Sequence, residues 1–222
     1  MSSSILTYSQ AEQDRFVVLM LKERRNGRFL EIGANHPIVN NNTYLLENQY
    51  SWSGLMIEYD QSFENLYKLH RPNSIYDFND ARHVNYRELL DSNNFPYDID
   101  YLQIDLDVDN RSTLDTLELL ERTVFDKYRF ATVTFEHDIY RGNYFDTQKR
   151  SREIFKNNGY RLAFPDVKVF WEADNRSFED WYVHPDLVDT DCDSSESLSH
   201  SEIIDKISKA ICNKYFETIS HK

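Results

Sequence analysis

Residues 29–35 read Phe-Leu-Glu-Ile-Gly-Ala-Asn, a mostly apolar run that contains one acidic residue and ends in glycine, alanine and asparagine. The run has strand length and predicts a buried β-strand that ends near Gly33. The chain must turn sharply there, and a residue without a Cβ lets a ligand approach the backbone. The stretch therefore predicts a strand of an α/β sheet followed by a ligand-binding turn, although glycine also follows strands in ordinary turns.

Outward from this strand, short apolar runs alternate with segments of helical period. The predicted strands are residues 28–34, 54–59, 74–78, 100–106, 130–135, 160–164 and 178–183. The predicted helices are residues 9–26, 43–49, 62–70, 86–90, 112–125, 145–157 and 201–219. This order predicts an α/β fold with a doubly wound, mostly parallel seven-stranded sheet, helices on both faces and an antiparallel edge strand.

The length of 222 residues suits one domain. We assign residues 1–185 to it. Residues 186–222 begin with an acidic connector and end in an amphipathic helix, and we expect this helix to pack on the same domain; contact with a partner is the alternative.

The charge excludes some classes of partner. The chain has 38 acidic and 25 basic residues and a formal charge of −13, so its average field repels a phosphate backbone. Apolar runs of 18 residues are absent from the sequence, and the N-terminus lacks the apolar core of a signal peptide. We therefore expect a cytoplasmic protein that binds neither nucleic acid nor a membrane.

Acidic residues mark four predicted strand ends, where ligands collect in open α/β sheets. These ends are residues 31–35, 57–60, 104–107 and 135–138. Glu58 lies 25 residues after Gly33, at the end of the second strand, where a carboxylate can accept hydrogen bonds from ribose hydroxyls. The two positions together predict a site for a nucleotide-like cofactor.

The fourth and fifth strand ends supply candidate catalytic and metal-binding groups. Asp105, Glu136 and His137 combine the carboxylate and imidazole ligands that suit Mg²⁺ or Mn²⁺, and we predict that they converge on one ion. A solvated acidic rim is the alternative. His137 could also act without metal as a general base. The predicted catalytic residues are Asp105, His137 and Asp138.

Polar and aromatic residues farther along the chain suit a sugar or another hydroxylated acceptor. The residues predicted to bind the acceptor are Asp107, Tyr140, Arg141, Trp181 and His184. For Trp181, burial in the core is the alternative.

Three blocks resemble the opening of FkbM-type S-adenosylmethionine-dependent methyltransferases. They are residues 29–35, then 42–47, Asn-Thr-Tyr-Leu-Leu-Glu, then 52–58, Trp-Ser-Gly-Leu-Met-Ile-Glu. Residues 100–107, Asp-Tyr-Leu-Gln-Ile-Asp-Leu-Asp, are similar to the acidic fourth strand of that family. The resemblance covers residues 28–182 and implies a class I methyltransferase fold and O-methylation of a hydroxylated acceptor, often a sugar.

The resemblance also implies residue roles. Glu31 and Gly33 would lie near the methionine part of S-adenosylmethionine, Glu58 at its ribose, and Asp80 and Ala81 by its adenine. The full predicted cofactor-binding set is Glu31, Gly33, Ala34, Asn35, Thr43, Glu58, Tyr59, Asp80, Ala81 and Asp105. Macrocin-type and catechol-type relatives bind a divalent metal at strands four and five, which again implies Asp105, Glu136 and His137.

One departure leaves other functions open. The chain has His36 and Pro37 where the family often has a second glycine. A nicotinamide-dependent oxidoreductase or epimerase is one rival, although the GxGxxG pattern is absent from the sequence. A noncatalytic cofactor-binding module is the other. We predict an S-adenosylmethionine-dependent O-methyltransferase for a sugar, glycan or similar small acceptor, assisted by a divalent metal.

Overall fold

Seven strands form one sheet in the computed structural model, which describes residues 5–106, 111–169 and 177–220. They are β1 Arg28–Ile32, β2 Ser53–Glu58, β3 Ile75–Phe78, β4 Asp98–Ile104, β5 Arg129–Glu136, β6 Arg161–Lys168 and β7 Ser177–Val183. Their order across the sheet is β3-β2-β1-β4-β5-β7-β6. The direction in which the strands follow one another reverses between β1 and β4. Open α/β sheets bind ligands at such a point, outside the carboxyl ends of the two strands.

The strand directions confirm the predicted mixed sheet. β1 pairs in parallel with β2 and β4, and β4 pairs in parallel with β5. β7 runs antiparallel between β5 and β6, so the one reversed strand lies one position in from the edge. Strands buried on both faces need continuous apolar runs, which explains why the sequence around β1 shows little alternation.

Helices cover both faces. They are α1 Gln13–Met20, α2 Tyr44–Tyr50, α3 Glu64–His70, α4 Tyr86–Ser92, α5 Ser112–Thr123, α6 Phe145–Asn157 and α7 His200–Ser220. Side chains of α1, α2, α3 and α7 belong to one hydrophobic core cluster, and those of α4, α5 and α6 to the other. The sheet therefore lies between two apolar layers, as the doubly wound prediction requires.

The first helix is shorter than the sequence predicts, because a side chain near its start folds the preceding residues back. The carboxylate of Asp14 accepts hydrogen bonds from the hydroxyls of Thr7 and Ser9, each at 2.7 Å, and from the backbone N–H of Tyr8, also at 2.7 Å. These residues donate hydrogen bonds to a side chain instead of forming a helical turn.

The C-terminal helix packs on the same core. Ile203, Ile204 and Ile207 of α7 are buried in the cluster that also holds Phe16 and Val17 of α1. The connector before it is tied to the domain by Thr190, whose hydroxyl donates to the carbonyl of Met20 at 3.1 Å. None of the helices in the described ranges has the length and apolar content that a membrane span needs.

Candidate functional site

A cavity of about 420 Å³ opens at the carboxyl ends of β1, β2 and β4. This volume lies within the range of small-molecule pockets. Its lining includes eight residues predicted to bind a cofactor: Glu31, Gly33, Ala34, Asn35, Glu58, Tyr59, Ala81 and Asp105. The structure thus brings residues at or just after the ends of four strands, β1 to β4, to one concave surface.

Gly33 forms the turn after β1 and packs against the end of β4. Its φ of +80° lies in the left-handed region, and a Cβ there would meet the carbonyl oxygen of Asp105 at 1.6 Å. Glycine is therefore required by the neighbouring strand as well as by the turn. This close approach places the side chain of Asp105 at the cavity.

Glu58 is held by two backbone amides of the cavity wall. Its Oε2 accepts from the N–H of Asn35 at 2.6 Å, and its Oε1 accepts from the N–H of Asp60 at 2.7 Å. Each carboxylate oxygen can accept a second hydrogen bond. The carboxylate is therefore fixed in place with acceptor capacity left for a ligand.

Glu31 is buried beneath the cavity, with 1% of its surface exposed. It accepts from the hydroxyl of Thr43 at 2.6 Å and from the N–H of Asn42 at 3.1 Å. Burial raises the pKa of Glu31 to about 7, against the opposing effects of the Arg71 guanidinium and of these hydrogen bonds. The carboxyl can therefore change its charge near neutral pH.

Arg71, at the end of α3, organises the loop between β1 and α2 although its side chain is fully buried. It donates to Glu47 Oε2 at 2.9 Å, to Asn41 Oδ1 at 2.9 Å and to Thr43 Oγ1 at 2.6 Å. Sequence patterns do not indicate this role, because the partners lie 24 to 30 residues away along the chain.

Two predicted cofactor residues lie outside the cavity lining. Thr43 is fully buried and supports Glu31, so its hydroxyl does not face a ligand. Asp80 accepts from the backbone and guanidinium of Arg82, and these hydrogen bonds lower the pKa of Asp80 to about 2. Asn79, the residue before it, lines the cavity instead.

Sequence reasoning missed several lining residues, namely Gln10, Asn40, Asn42, Ile57, Asp60, Phe63, Asn79 and Leu106. Asn79 could have been found, because it directly follows the predicted third strand. Gln10 could not, because only the folding back of residues 5–12 brings it to the sheet edge.

On the acceptor side, polar side chains continue from the cavity toward β5. Asp105 hydrogen-bonds to Glu136, and the hydroxyl of Tyr140 donates to Glu136 Oε1 at 2.5 Å. Arg141 Nε donates in turn to the hydroxyl oxygen of Tyr140 at 2.9 Å. Burial and the neighbouring Asp105 carboxylate raise the pKa of Glu136 well above its usual range, which favours a state with one proton between the two carboxyls.

His137 does not join Asp105 and Glu136, so the predicted three-ligand metal site is wrong. Adjacent strand residues point to opposite faces, and the imidazole of His137 lies under α6 with no exposed surface. Its Nε2 is 3.8 Å from carboxylate oxygens of Asp166 and Asp180. For the same reason His137 cannot serve as a base in the cavity.

The group formed by His137, Asp166 and Asp180 could hold a metal by distance alone, because its ligand atoms lie within 4.8 Å of one another. Arg152 already occupies the cation position there. It donates to Asp180 at 2.7 and 2.8 Å and contacts Asp166 at 3.0 Å.

Asp138, the third predicted catalytic residue, is 3% exposed and lies close enough to Glu136 to raise the pKa of Glu136 further.

Two predicted acceptor-binding residues are wrong. Trp181 is fully buried and its ring lies 4.6 Å from that of Phe16, so it belongs to the core. The backbone N–H of His184 donates to the carbonyl of Ala131, at the start of β5, because β7 runs antiparallel. His184 therefore lies near the amino end of β5, whereas the cavity lies at the carboxyl ends of the parallel strands. Asp107 lies outside the described residues.

Comparison with solved structures agrees with this architecture. A TehB-like S-adenosylmethionine-dependent methyltransferase from Corynebacterium glutamicum aligns with TM-score 0.50 and 14% identity over 78% of this chain and 87% of its own. Precorrin-6y C5,15-methyltransferase from Geobacter metallireducens aligns with TM-score 0.51 and 14% identity over 82% and 91%. A candidate rRNA methylase from Clostridium thermocellum aligns with TM-score 0.53 and 8% identity over 80% and 96%.

No family model matches the chain, and no curated protein matches its sequence. Identities this low relate folds and not activities. The seven-stranded mixed sheet, the helices on both faces and these neighbours together show that the chain has the fold of class I S-adenosylmethionine-dependent methyltransferases.

Proposed function

We propose that the chain is an S-adenosylmethionine-dependent O-methyltransferase that acts on a hydroxyl of a sugar, a glycan or a similar small acceptor. The observation that carries the proposal is the carboxylate of Glu58, fixed by two backbone amides at the end of β2 beside the Gly33 turn. Ribose hydroxyls are the donors that such a carboxylate suits.

The rest of the cavity fits the same cofactor. Glu31 and Asn42 lie at the end of the cavity nearest Thr43 and would receive the positively charged ammonium of the methionine part. Asn79 and Ala81, after β3, would lie by the adenine. The cavity of about 420 Å³ has room for one small cofactor.

When bound, S-adenosylmethionine supplies a methyl group whose S–C bond breaks as the O–C bond to the acceptor forms. This displacement mainly needs orientation and removal of the hydroxyl proton. Asp105 and Glu136 share one proton between two carboxyls, so the pair retains an ionised oxygen that can accept the proton of the acceptor. Tyr140 holds Glu136 in position through its hydrogen bond.

Nucleic acid remains a disfavoured acceptor because the formal charge is −13. A nicotinamide enzyme remains a rival on the same class of fold. Parallel calorimetric titrations with S-adenosylmethionine, S-adenosylhomocysteine and NAD separate the two. We expect low micromolar binding of the first two. Tighter binding of NAD would refute the proposal.

Methyl transfer to a panel of sugars, measured as release of S-adenosylhomocysteine, tests the chemical step. Cofactor binding without transfer to any hydroxylated acceptor would favour the noncatalytic binding module. Efficient methylation of RNA with affinity that falls steeply as salt rises would contradict the proposed acceptor class.

A further inference from the structure

A second depression, of about 670 Å³, opens beside the acceptor side of the site. Two arginines, Arg111 and Arg141, face into it, together with Asn143 and Thr147. Asp146 is the acidic residue of its lining. Two guanidinium groups on one concave surface contrast with the acidic average of the chain, whose formal charge is −13.

A continuous chain of hydrogen bonds joins this depression to the cofactor cavity. Arg141 donates to Tyr140, Tyr140 donates to Glu136, and Glu136 hydrogen-bonds to Asp105, which lines the cavity. An acceptor whose hydroxyl lies at Asp105 and Glu136 therefore has its remaining part next to Tyr140 and Arg141. The depression lies on that side and has room for it.

The contacts of Arg111 leave it able to take a ligand. Its guanidinium lies 3.1 Å from Asp115 and 3.3 Å from Glu118, and 57% of its side chain is exposed. Exposed ion pairs of this kind contribute between about 0 and 1 kcal/mol, so a ligand oxyanion can replace them. The N-termini of α5 and α6 also open here and add positive potential, although they would not make a site by themselves.

We propose that the acceptor carries an oxyanion, a phosphate or a carboxylate, that binds Arg111 and Arg141 while its hydroxyl lies at Asp105 and Glu136. Planar guanidinium groups match the oxygens of either anion in paired hydrogen bonds. The inference rests on the proposed function for the identity of the reaction, but the binding of the anion does not depend on methyl transfer.

The first experiment uses inorganic phosphate and pyrophosphate as probes and follows amide and guanidinium NMR signals of the full chain. We expect saturable binding that weakens at least tenfold in Arg111→Gln and in Arg141→Gln. Arg122→Gln is the matched control, because it removes the same charge from the exposed surface of α5 away from the depression. Equal phosphate binding by all four proteins would overturn the proposal.

The second experiment compares glucose, glucose 6-phosphate and glucuronate as acceptors of a methyl group. We expect a lower KM for at least one anionic sugar, and the better of the two identifies the anion as phosphate or carboxylate. Arg111→Gln should raise that KM at least tenfold with little change in kcat, and the control Arg122→Gln should leave the KM for the anionic sugar and for glucose unchanged. Equal use of glucose and both anionic sugars would overturn the proposal.

The two inferences fail in different ways. Saturable phosphate binding at the arginines together with no methylation of any sugar would count against the proposed function and support the anion site. Methylation of neutral sugars without phosphate binding would do the reverse.

Discussion

The backbone of Asp105 occupies the position that a side chain at Gly33 would need, since a Cβ there would lie 1.6 Å from the Asp105 carbonyl oxygen. The turn after β1 and the end of β4 are therefore packed without space between them. The same contact fixes the floor of the cofactor cavity and the starting point of the acceptor side. The contact between Gly33 and Asp105 therefore belongs to both the cofactor side and the acceptor side of the proposed site.

Gly33→Ala should destabilise the fold by at least about 3 kcal/mol, because it adds a strained positive φ to an overpacked contact. Urea denaturation followed by circular dichroism measures the change. Gly142→Ala is the control, because its added Cβ would meet only the ring of Tyr144, at 3.3 Å. A Gly33→Ala protein as stable as the control would show that the β1 turn is not held by β4.

The fold was predictable because local patterns and global packing agree. Phe29, Leu30 and Ile32 of β1 are apolar because the strand is covered on both faces, with Glu31 the one buried exception. The helical period of residues 145–157 matches α6 residue for residue. The start of the first helix was overpredicted, because local hydrogen bonds from Thr7 and Ser9 to the Asp14 carboxylate compete with a helical turn there, and hydrophobic periodicity does not predict such bonds.

A site residue was predictable only where its residue type and its position at a strand end together indicated that it lies at the cavity. Gly33 and Glu58 follow that rule. His137 does not, because β5 ends at Glu136 and the imidazole of the next residue lies beside Asp166 and Asp180 rather than at the cavity. Arg71 belongs to a helix end and reaches the site through space, so no local pattern could indicate it.

Glu58→Ala should weaken binding of S-adenosylhomocysteine by about 1.5 to 3 kcal/mol, because charge-assisted hydrogen bonds to the ribose are lost. Calorimetry measures the change. Glu64→Ala, which removes an exposed carboxylate paired with Lys68 on α3, is the control and should bind normally. Unchanged affinity in Glu58→Ala would remove Glu58 from the proposed site.

Arg71→Lys should lower both stability and cofactor affinity. Lysine keeps the charge but has one nitrogen, which cannot reach Glu47, Asn41 and Thr43 together. We expect a loss of roughly 2 to 4 kcal/mol in urea denaturation. Affinity for S-adenosylhomocysteine should fall at least tenfold where the variant is still folded. Arg25→Lys, on the exposed surface, should change neither quantity.

Glu31 should make stability depend on pH. Its pKa is raised from 4.5 to about 7 in the folded chain, mainly by burial. A carboxyl of this kind stabilises the fold fully below its unfolded pKa, and that contribution is lost as the pH rises through the folded pKa. The stability difference between wild type and Glu31→Gln should therefore shrink by about 3 kcal/mol between pH 4 and pH 8.

Urea denaturation of both proteins across this range measures the difference, since the other titrating groups are common to both. A difference that stays constant with pH would mean that folding does not shift the pKa of Glu31. Cofactor affinity should move in the opposite direction and rise with pH through about 7, because an ionised Glu31 attracts the methionine ammonium of the proposed cofactor.

The last prediction separates the carboxyl pair from the buried histidine. Glu136→Gln should reduce kcat by about 10² to 10⁴, the usual range for loss of a general base, and leave affinity for S-adenosylhomocysteine within twofold. Glu136 acts on the acceptor side, where it shares a proton with Asp105 and holds no part of the cofactor cavity lining. His137→Gln should keep most of its activity when corrected for the folded fraction, because its imidazole lies under α6, away from the cavity.

The proton shared by the two carboxyls offsets their mutual repulsion, so exhaustive treatment with EDTA should leave kcat unchanged. The pair should also make kcat rise with pH, with apparent pKa values that belong to both groups together. Loss of activity on chelation with recovery on adding Mn²⁺ would instead place a cation between Asp105 and Glu136 and remove the shared proton from the mechanism.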